Sequence, residues 1–92
     1  MSNIKKTLKK RGKTHGDMQC NAKTTNKLVK VLWKANPGLF LTSPMHAECL
    51  HLICHKMSRM VCGDPLNTDN AHDIAGYATL LVQWLDEGGL DE

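Results

Sequence analysis

The chain has 92 residues and a formal net charge of +3, with 41% apolar and 23% charged residues. This length allows one small domain, which buries only roughly two-thirds of its unfolded surface and is marginally stable as a monomer. No apolar run approaches the ~20 residues of a membrane span, and no apolar block follows the basic N-terminus as in a secretory signal. We therefore expect a cytoplasmic protein with no membrane partner.

The positive charge is concentrated at the N-terminus. The first 13 residues hold six of the 12 cations, which leaves six cations against nine acids in the rest of the chain. We therefore divide the chain into a basic, partly disordered tail at 1–12 and a single helical domain at 13–92. The acidic body is not expected to bind nucleic acid. The tail could contact polyanions, or it could be a solvated, frayed terminus.

Four cysteines are present, at positions 20, 49, 54 and 62. In a cytoplasmic protein we expect all four to be free thiols. His51, Cys54 and His55 resemble half of a zinc site, but the chain offers no second ligand pair at a structural-zinc spacing. No zinc is expected.

The first helix is predicted over residues 15–35, where apolar residues recur every three or four positions and lysines line the opposite side. Asn36, Pro37 and Gly38 end it, because proline disfavours helical geometry in the preceding residue. The segment 39–42 reads as a short apolar connector.

The second helix is predicted to begin with Ser43 as its N-cap and Pro44 as its first residue, and to stop at Gly63. Charged residues border its buried face. Its expected core positions are Cys49, Leu50, Ile53, Met57, Met60 and Val61.

The third helix is predicted to start near Asp69 or Asn70, with Asn70 and Asp73 approximating a capping box. A pair of glycines at 88–89 ends it. Gly76 in its middle costs about 1 kcal/mol relative to alanine, which points to the close approach of another backbone or a ligand. Its expected apolar stripe is Ile74, Tyr77, Ala78, Leu81, Trp84 and Leu85.

Three helices without a strand signal predict an all-α, three-helix up-and-down bundle. The wide apolar faces predict that the bundle completes its core by homo-oligomerisation.

The expected functional site lies where the second helix ends and the third begins. Lys56 and Arg59 are the only cations after residue 35, and an arginine fork with a lysine charge is suited to holding phosphate oxygens. Asp69 and Asp73 share one helical face, where a divalent metal such as Mg²⁺ or Lys56 would relieve their repulsion. The alternatives are acids placed by the helix macrodipole and a structural ion pair from Asp73 to Lys56 or Arg59.

A second polar cluster precedes the first helix. His15 could act as an acid or base, Gly16 frees the backbone to approach a ligand, and Asp17 could cap the helix or bind a metal, with Asn21 one turn further on. The alternative is a plain N-cap. In an up-down-up arrangement this cluster meets the first one.

These motifs together resemble a family. The ordered series of HGD with a following asparagine, KxxR, and DxxxDIAGY resembles small uncharacterised all-α proteins of phages and prophages, over residues 11–81. That family is similar to nucleotide-modification-associated domains and, more distantly, to the MazG-like nucleotide pyrophosphohydrolases. The matching positions are His15, Gly16, Asp17, Asn21, Lys56, Arg59, Asp69, Asp73 and Tyr77.

The resemblance implies nucleotide binding in a homo-oligomer and, for the MazG-like group, Mg²⁺-dependent release of pyrophosphate from nucleoside triphosphates. The chain departs from that group because Glu48 stands without a second acid at 51 or 52. We therefore expect a protein that binds a nucleotide or phosphorylated metabolite, with Asp17 or Asp73 orienting a water if it is an enzyme. The alternatives are a non-enzymatic nucleotide sponge and a small protein that binds and inhibits a host protein.

Overall fold

The computed structural model describes residues 3–6 and 17–89. Within these ranges the regular structure is entirely helical, which confirms the all-α class. None of these helices is long and apolar enough to cross a membrane. Residues 3–6 are helical, and the elements that follow are α1 (Met18–Ala35), α2 (Pro37–Thr42), α3 (Pro44–Cys62) and α4 (Thr68–Asp86).

The predicted connector between the first two long helices is itself a short helix. The Asn36 side chain accepts a hydrogen bond from the Leu39 N–H at 3.2 Å, and Pro37 occupies the first turn. The prediction was wrong because the residues that stop α1 are also a good N-cap and first residue for α2. The Phe40 ring then packs against Trp33 with centroids 5.8 Å apart.

The start of α4 also differs from the prediction. Asn67 is the N-cap, and its side chain accepts a hydrogen bond from the Asp69 N–H at 2.9 Å. Asn70 is therefore not a capping residue and instead lies inside the first turn, 1% exposed. The predicted Ser43 cap of α3 and the glycine end of α4 are confirmed, with Gly89 at a φ of 60°.

Helix α3 is the centre of the molecule, because α1, α2 and α4 all pack against it. The Thr25 to Ser58 hydrogen bond joins α1 to α3, and the Lys56 to Asp73 ion pair joins α3 to α4. Contacts between α1 and α4 are sparse at most. In the described part of the chain α1 and α4 thus both pack on α3 and hardly contact each other. The finer description as a three-helix up-and-down bundle is not confirmed.

The interior is small and polar. In the described ranges, the buried residues are Cys49, Cys54, Asn21, Thr25, Ser58 and Asn70. Several predicted core or apolar-stripe positions are instead exposed, namely Met57, Val61, Ala78 and Leu85. Met57 and Val61 were mispredicted because α1 and α4 cover two other faces of α3 and leave this stripe open.

Two of the four cysteines form a disulfide, which corrects the expectation of four free thiols. Cys20 in the first turn of α1 is bonded to Cys62 in the last turn of α3, while Cys49 and Cys54 are free and buried. The prediction failed because it used the expected compartment alone, and spacing in the sequence cannot show that the two helix ends meet.

We expect the disulfide to stabilise the fold substantially. Closing a loop of 42 residues lowers the entropy of the unfolded chain by an amount worth about 4 kcal/mol. Urea unfolding of the oxidised protein and of Cys20→Ser measures this difference. Alkylation of the unfolded, unreduced protein should modify two thiols by mass spectrometry, and modification of four would contradict the pairing.

Candidate functional site

The packing seam between α3 and α4 changes from apolar to polar along its length. The residues that line the seam are three and four positions apart along each helix, as in an antiparallel helix pair. The register follows from the Lys56 to Asp73 ion pair near one end and from His46 against Trp84, 5.5 Å between ring centroids, at the other. From this register and helical spacing we assign Met45, Cys49, Leu52, Tyr77, Leu81 and Trp84 to the apolar half of the seam. The polar half comprises Lys56, Arg59, Asn70 and Asp73, and we call these four residues the polar seam.

The ion pair in the polar seam is close and partly shielded. Lys56 Nζ lies 2.9 Å from Asp73 Oδ2, and the lysine side chain is mostly buried whereas the carboxylate is partly exposed. The hydrogen bond from Lys56 is the main reason that the pKa of Asp73 is lowered, with smaller contributions from the charges of Lys56, His72 and Arg59. The structure thus contains the structural ion pair that the sequence allowed as an alternative.

Two donors in the polar seam are buried without an acceptor in the described part of the chain. These are Arg59 Nε and Asn70 Nδ2. The register of the ion pair places the two residues at the same level on α3 and α4. A buried donor without an acceptor costs about 1–3 kcal/mol, and more when it is charged. The polar seam therefore lacks an acceptor that an oxygen-rich ligand would supply.

His55 lies next to the two cations of the polar seam on α3. Its pKa is lowered, first by burial and then by the charges of Arg59, Lys56 and His51. The local charges are thus two permanent cations and a histidine that resists protonation, against the single carboxylate of Asp73. Such an excess of positive charge favours an anion.

A separate polar contact lies between α1 and α3. Thr25 Oγ1 donates to Ser58 Oγ at 2.8 Å, and Ser58 Oγ donates to the Cys54 carbonyl at 3.0 Å. Asn21 is buried one turn before Thr25 on the same side of α1. The Thr25 and Ser58 hydroxyls tie α1 to α3 by hydrogen bonds. Asn21 is buried in the interior rather than located in the polar seam.

Two of the remaining predicted site residues lie at helix starts. Asp17 is exposed and caps α1 by accepting from the Cys20 N–H at 2.8 Å, as the plain N-cap alternative proposed. Asp69 is exposed at the start of α4. His15 and Gly16 lie outside the described residues, so the meeting of the two polar clusters stays a prediction.

Tyr77 lines an open groove along α4. The groove has a volume of about 530 Å³, and Asp73 and Gly76 also line it. A Cβ atom built at Gly76 would meet no atom within 4 Å. The close approach expected at this glycine therefore does not come from the described part of the chain.

Sequence reasoning missed the two most informative residues of this region. Asn70 was assigned to a cap, although it continues the apolar stripe of Ile74, Tyr77 and Leu81 at helical spacing and could have been recognised as buried. His55 was weighed only as a zinc ligand. Its position one residue before Lys56 and one turn before Arg59 was the available signal.

The fold and the site define an all-α protein whose central helix pair encloses a cationic, incompletely satisfied polar seam. Within the described residues, no group of three or more histidine, cysteine, aspartate or glutamate side chains could hold a metal ion. No protein-family model, curated protein or solved structure matches the chain.

The acidity of Asp73 tests the ion pair. In Lys56→Met we expect the pKa of the Asp73 carboxyl to rise back towards its usual range, because its hydrogen-bond donor is gone. NMR titration of the side-chain carboxyl measures this pKa in both proteins. Lys30→Met on the exposed side of α1 is the control and should leave it unchanged, and an unchanged pKa in Lys56→Met would refute the pair.

The lowered pKa of His55 predicts acid sensitivity. The unfolded chain binds a proton at His55 near pH 6.5, whereas the folded chain binds it only at lower pH, so stability falls as pH drops below about 6.5. Urea unfolding across this range should show a smaller loss in His55→Gln. Replacement of the exposed His72 by glutamine serves as the comparison, and an equal loss in all three proteins would contradict the assignment.

Proposed function

We propose that the protein binds a nucleotide or another phosphorylated metabolite, with its phosphates in the polar seam. The observation that supports this most directly is the pair of buried donors, Arg59 Nε and Asn70 Nδ2, that lack an acceptor in the described residues. Phosphate oxygens are strong acceptors and carry the negative charge that balances the local cations. Lys56 and Arg59 are the proposed phosphate ligands, and Asn70 donates to an oxygen of the same group.

The other site residues are assigned to the edges of this proposed pocket. Tyr77 and Asp73 border the groove on α4 and would contact the base or sugar. Asp17, with His15 and Gly16 before it, would close the pocket from the start of α1. Support for this role comes from the disulfide, which holds this end of α1 to the end of α3. Asn21 is proposed to support this closure from the interior.

Magnesium fits this proposal only together with a ligand. Asp69 and Asp73 are the proposed metal-binding acids, but one oxygen of Asp73 already contacts Lys56. Mg²⁺ is usually held by one or two carboxylates, substrate phosphates and waters, so these two acids suffice when phosphate is present. Any turnover would be metal-assisted attack of water on a phosphoanhydride, with Asp17 or Asp73 orienting the water. Without turnover the protein would act as a nucleotide sponge.

The proposal includes the resemblance to phage and prophage proteins and to the MazG-like group. It also includes a cytoplasmic location and homo-oligomerisation. A disulfide is more typical of oxidising compartments. The redox state of Cys20 and Cys62 in cells therefore tests the proposed location.

A second candidate function is that of a small protein that binds and inhibits a host protein. It is favoured by the large apolar side chains that the described part of the chain leaves exposed, among them Val61, Leu80 and Val82. In that case the polar seam is structural and the basic tail contributes to docking.

Arg59→Met separates these functions. Removing a buried donor that lacks an acceptor should raise the stability of the ligand-free protein by about 1–3 kcal/mol. The same change should weaken nucleotide binding roughly tenfold or more, because a hydrogen bond to a charged group contributes about 1.5–3 kcal/mol. Urea unfolding measures the first effect. Thermal shift with a nucleotide panel, with and without Mg²⁺, measures the second.

Lys30→Met removes an exposed cation on α1 and is the matched control, with both quantities expected to stay at the wild-type values. Phosphate or pyrophosphate release then separates an enzyme from a sponge. A wild-type protein whose melting temperature no nucleotide raises would contradict the proposed function.

A further inference from the structure

One side of the α3 and α4 pair is apolar and uncharged. In an antiparallel pair, residues that flank the seam on one side of α3 lie beside those that flank it on the same side of α4. Residue positions along each helix place Arg59, His55 and Asp73 on one side. The opposite side carries Ile53, Met57, Val61, Ala78, Val82 and Leu85, and we call these six residues the apolar face.

The apolar face is substantially open to solvent. Val61 is 71% exposed and Val82 is 54% exposed. Met57 and Leu85 are also exposed. The only apolar residues that are fully buried in the described ranges are two cysteines. Large apolar side chains of α3 and α4 are therefore still available for burial, since the described part of the chain covers them incompletely.

We propose that the apolar face is the contact surface for a second copy of this chain, related by a two-fold axis. Neither helix places an aspartate, glutamate, lysine or arginine on this side. A surface without charges can meet itself without bringing like charges together, as the self-complementary patch of a two-fold dimer requires. The groove along α4 is less suitable for self-association because Asp73 and His72 line it.

The dimensions of the apolar face agree with a second copy of the chain as the partner. Two helices of 19 residues present a surface about 28 Å long and about 20 Å wide. Because the side chains protrude from this surface, its accessible area approaches the ~800 Å² per partner of a standard interface. This inference rests on the homo-oligomer that forms part of the proposed function and specifies its surface. It does not depend on the ligand.

The test is the mass of the protein in solution, by size-exclusion chromatography with light scattering over a dilution series. We expect a wild-type dimer, and monomers for both Val61→Lys and Leu85→Lys, whose exposed positions allow a lysine in the folded monomer. Leu66→Lys replaces an exposed leucine (87%) in the loop before α4, away from the face, and should remain dimeric. Helical content by circular dichroism should be the same in all four proteins.

The melting temperature provides a second measurement. It should rise with protein concentration for the wild type and for Leu66→Lys, and should be independent of concentration for the two face variants. A monomeric wild type would overturn both the dimer and this surface, and would mean that another part of the chain or a different protein covers the face. A wild-type dimer that survives Val61→Lys and Leu85→Lys would overturn the surface alone. Neither result bears on nucleotide binding.

Discussion

The structure depends on one constraint, which is that the seam between α3 and α4 changes from apolar to polar residues along its length. Seam positions in helix pairs are normally apolar, and here they are apolar from Met45 to Leu52. The next two seam positions on α3 are Lys56 and Arg59, opposite Asp73 and Asn70. Lys56 finds a carboxylate at 2.9 Å, whereas Arg59 Nε and Asn70 Nδ2 find no acceptor in the described residues. The two donors without an acceptor lower the stability of a small protein, which is why we interpret them in terms of function.

The central position of α3 links this site to the rest of the molecule. One face of α3 receives α1 through Ser58 and the disulfide at Cys62, and another receives α4 through the seam. A third face remains open. The polar side and the apolar face therefore lie on opposite sides of the same helix pair, so a second copy could cover the apolar face without blocking a ligand in the polar seam.

The sequence predicted what depends on local patterns. Helical spacing and the caps at Ser43 and Gly63 gave the all-α class and the limits of α3, and the charges at Lys56 and Asp73 indicated a pair that the structure contains. The remaining features depend on contacts between distant segments. The pairing of Cys20 with Cys62 and the exposure of Val61 follow from which faces of α3 are occupied, and helical periodicity in one segment cannot reveal its neighbours. Asn70 was misassigned because a polar residue near a helix start is also a good cap.

The central claim is that the polar seam accepts an anionic oxygen ligand, and the most direct measurement is NMR of the two buried donors. Inorganic pyrophosphate is titrated into ¹⁵N-labelled protein while the Arg59 Nε–H and Asn70 Nδ2–H signals are followed. We predict that both signals move downfield and saturate with the same dissociation constant, because one ligand supplies both acceptors. If the two signals stay unchanged over the whole pyrophosphate titration, the claim is contradicted.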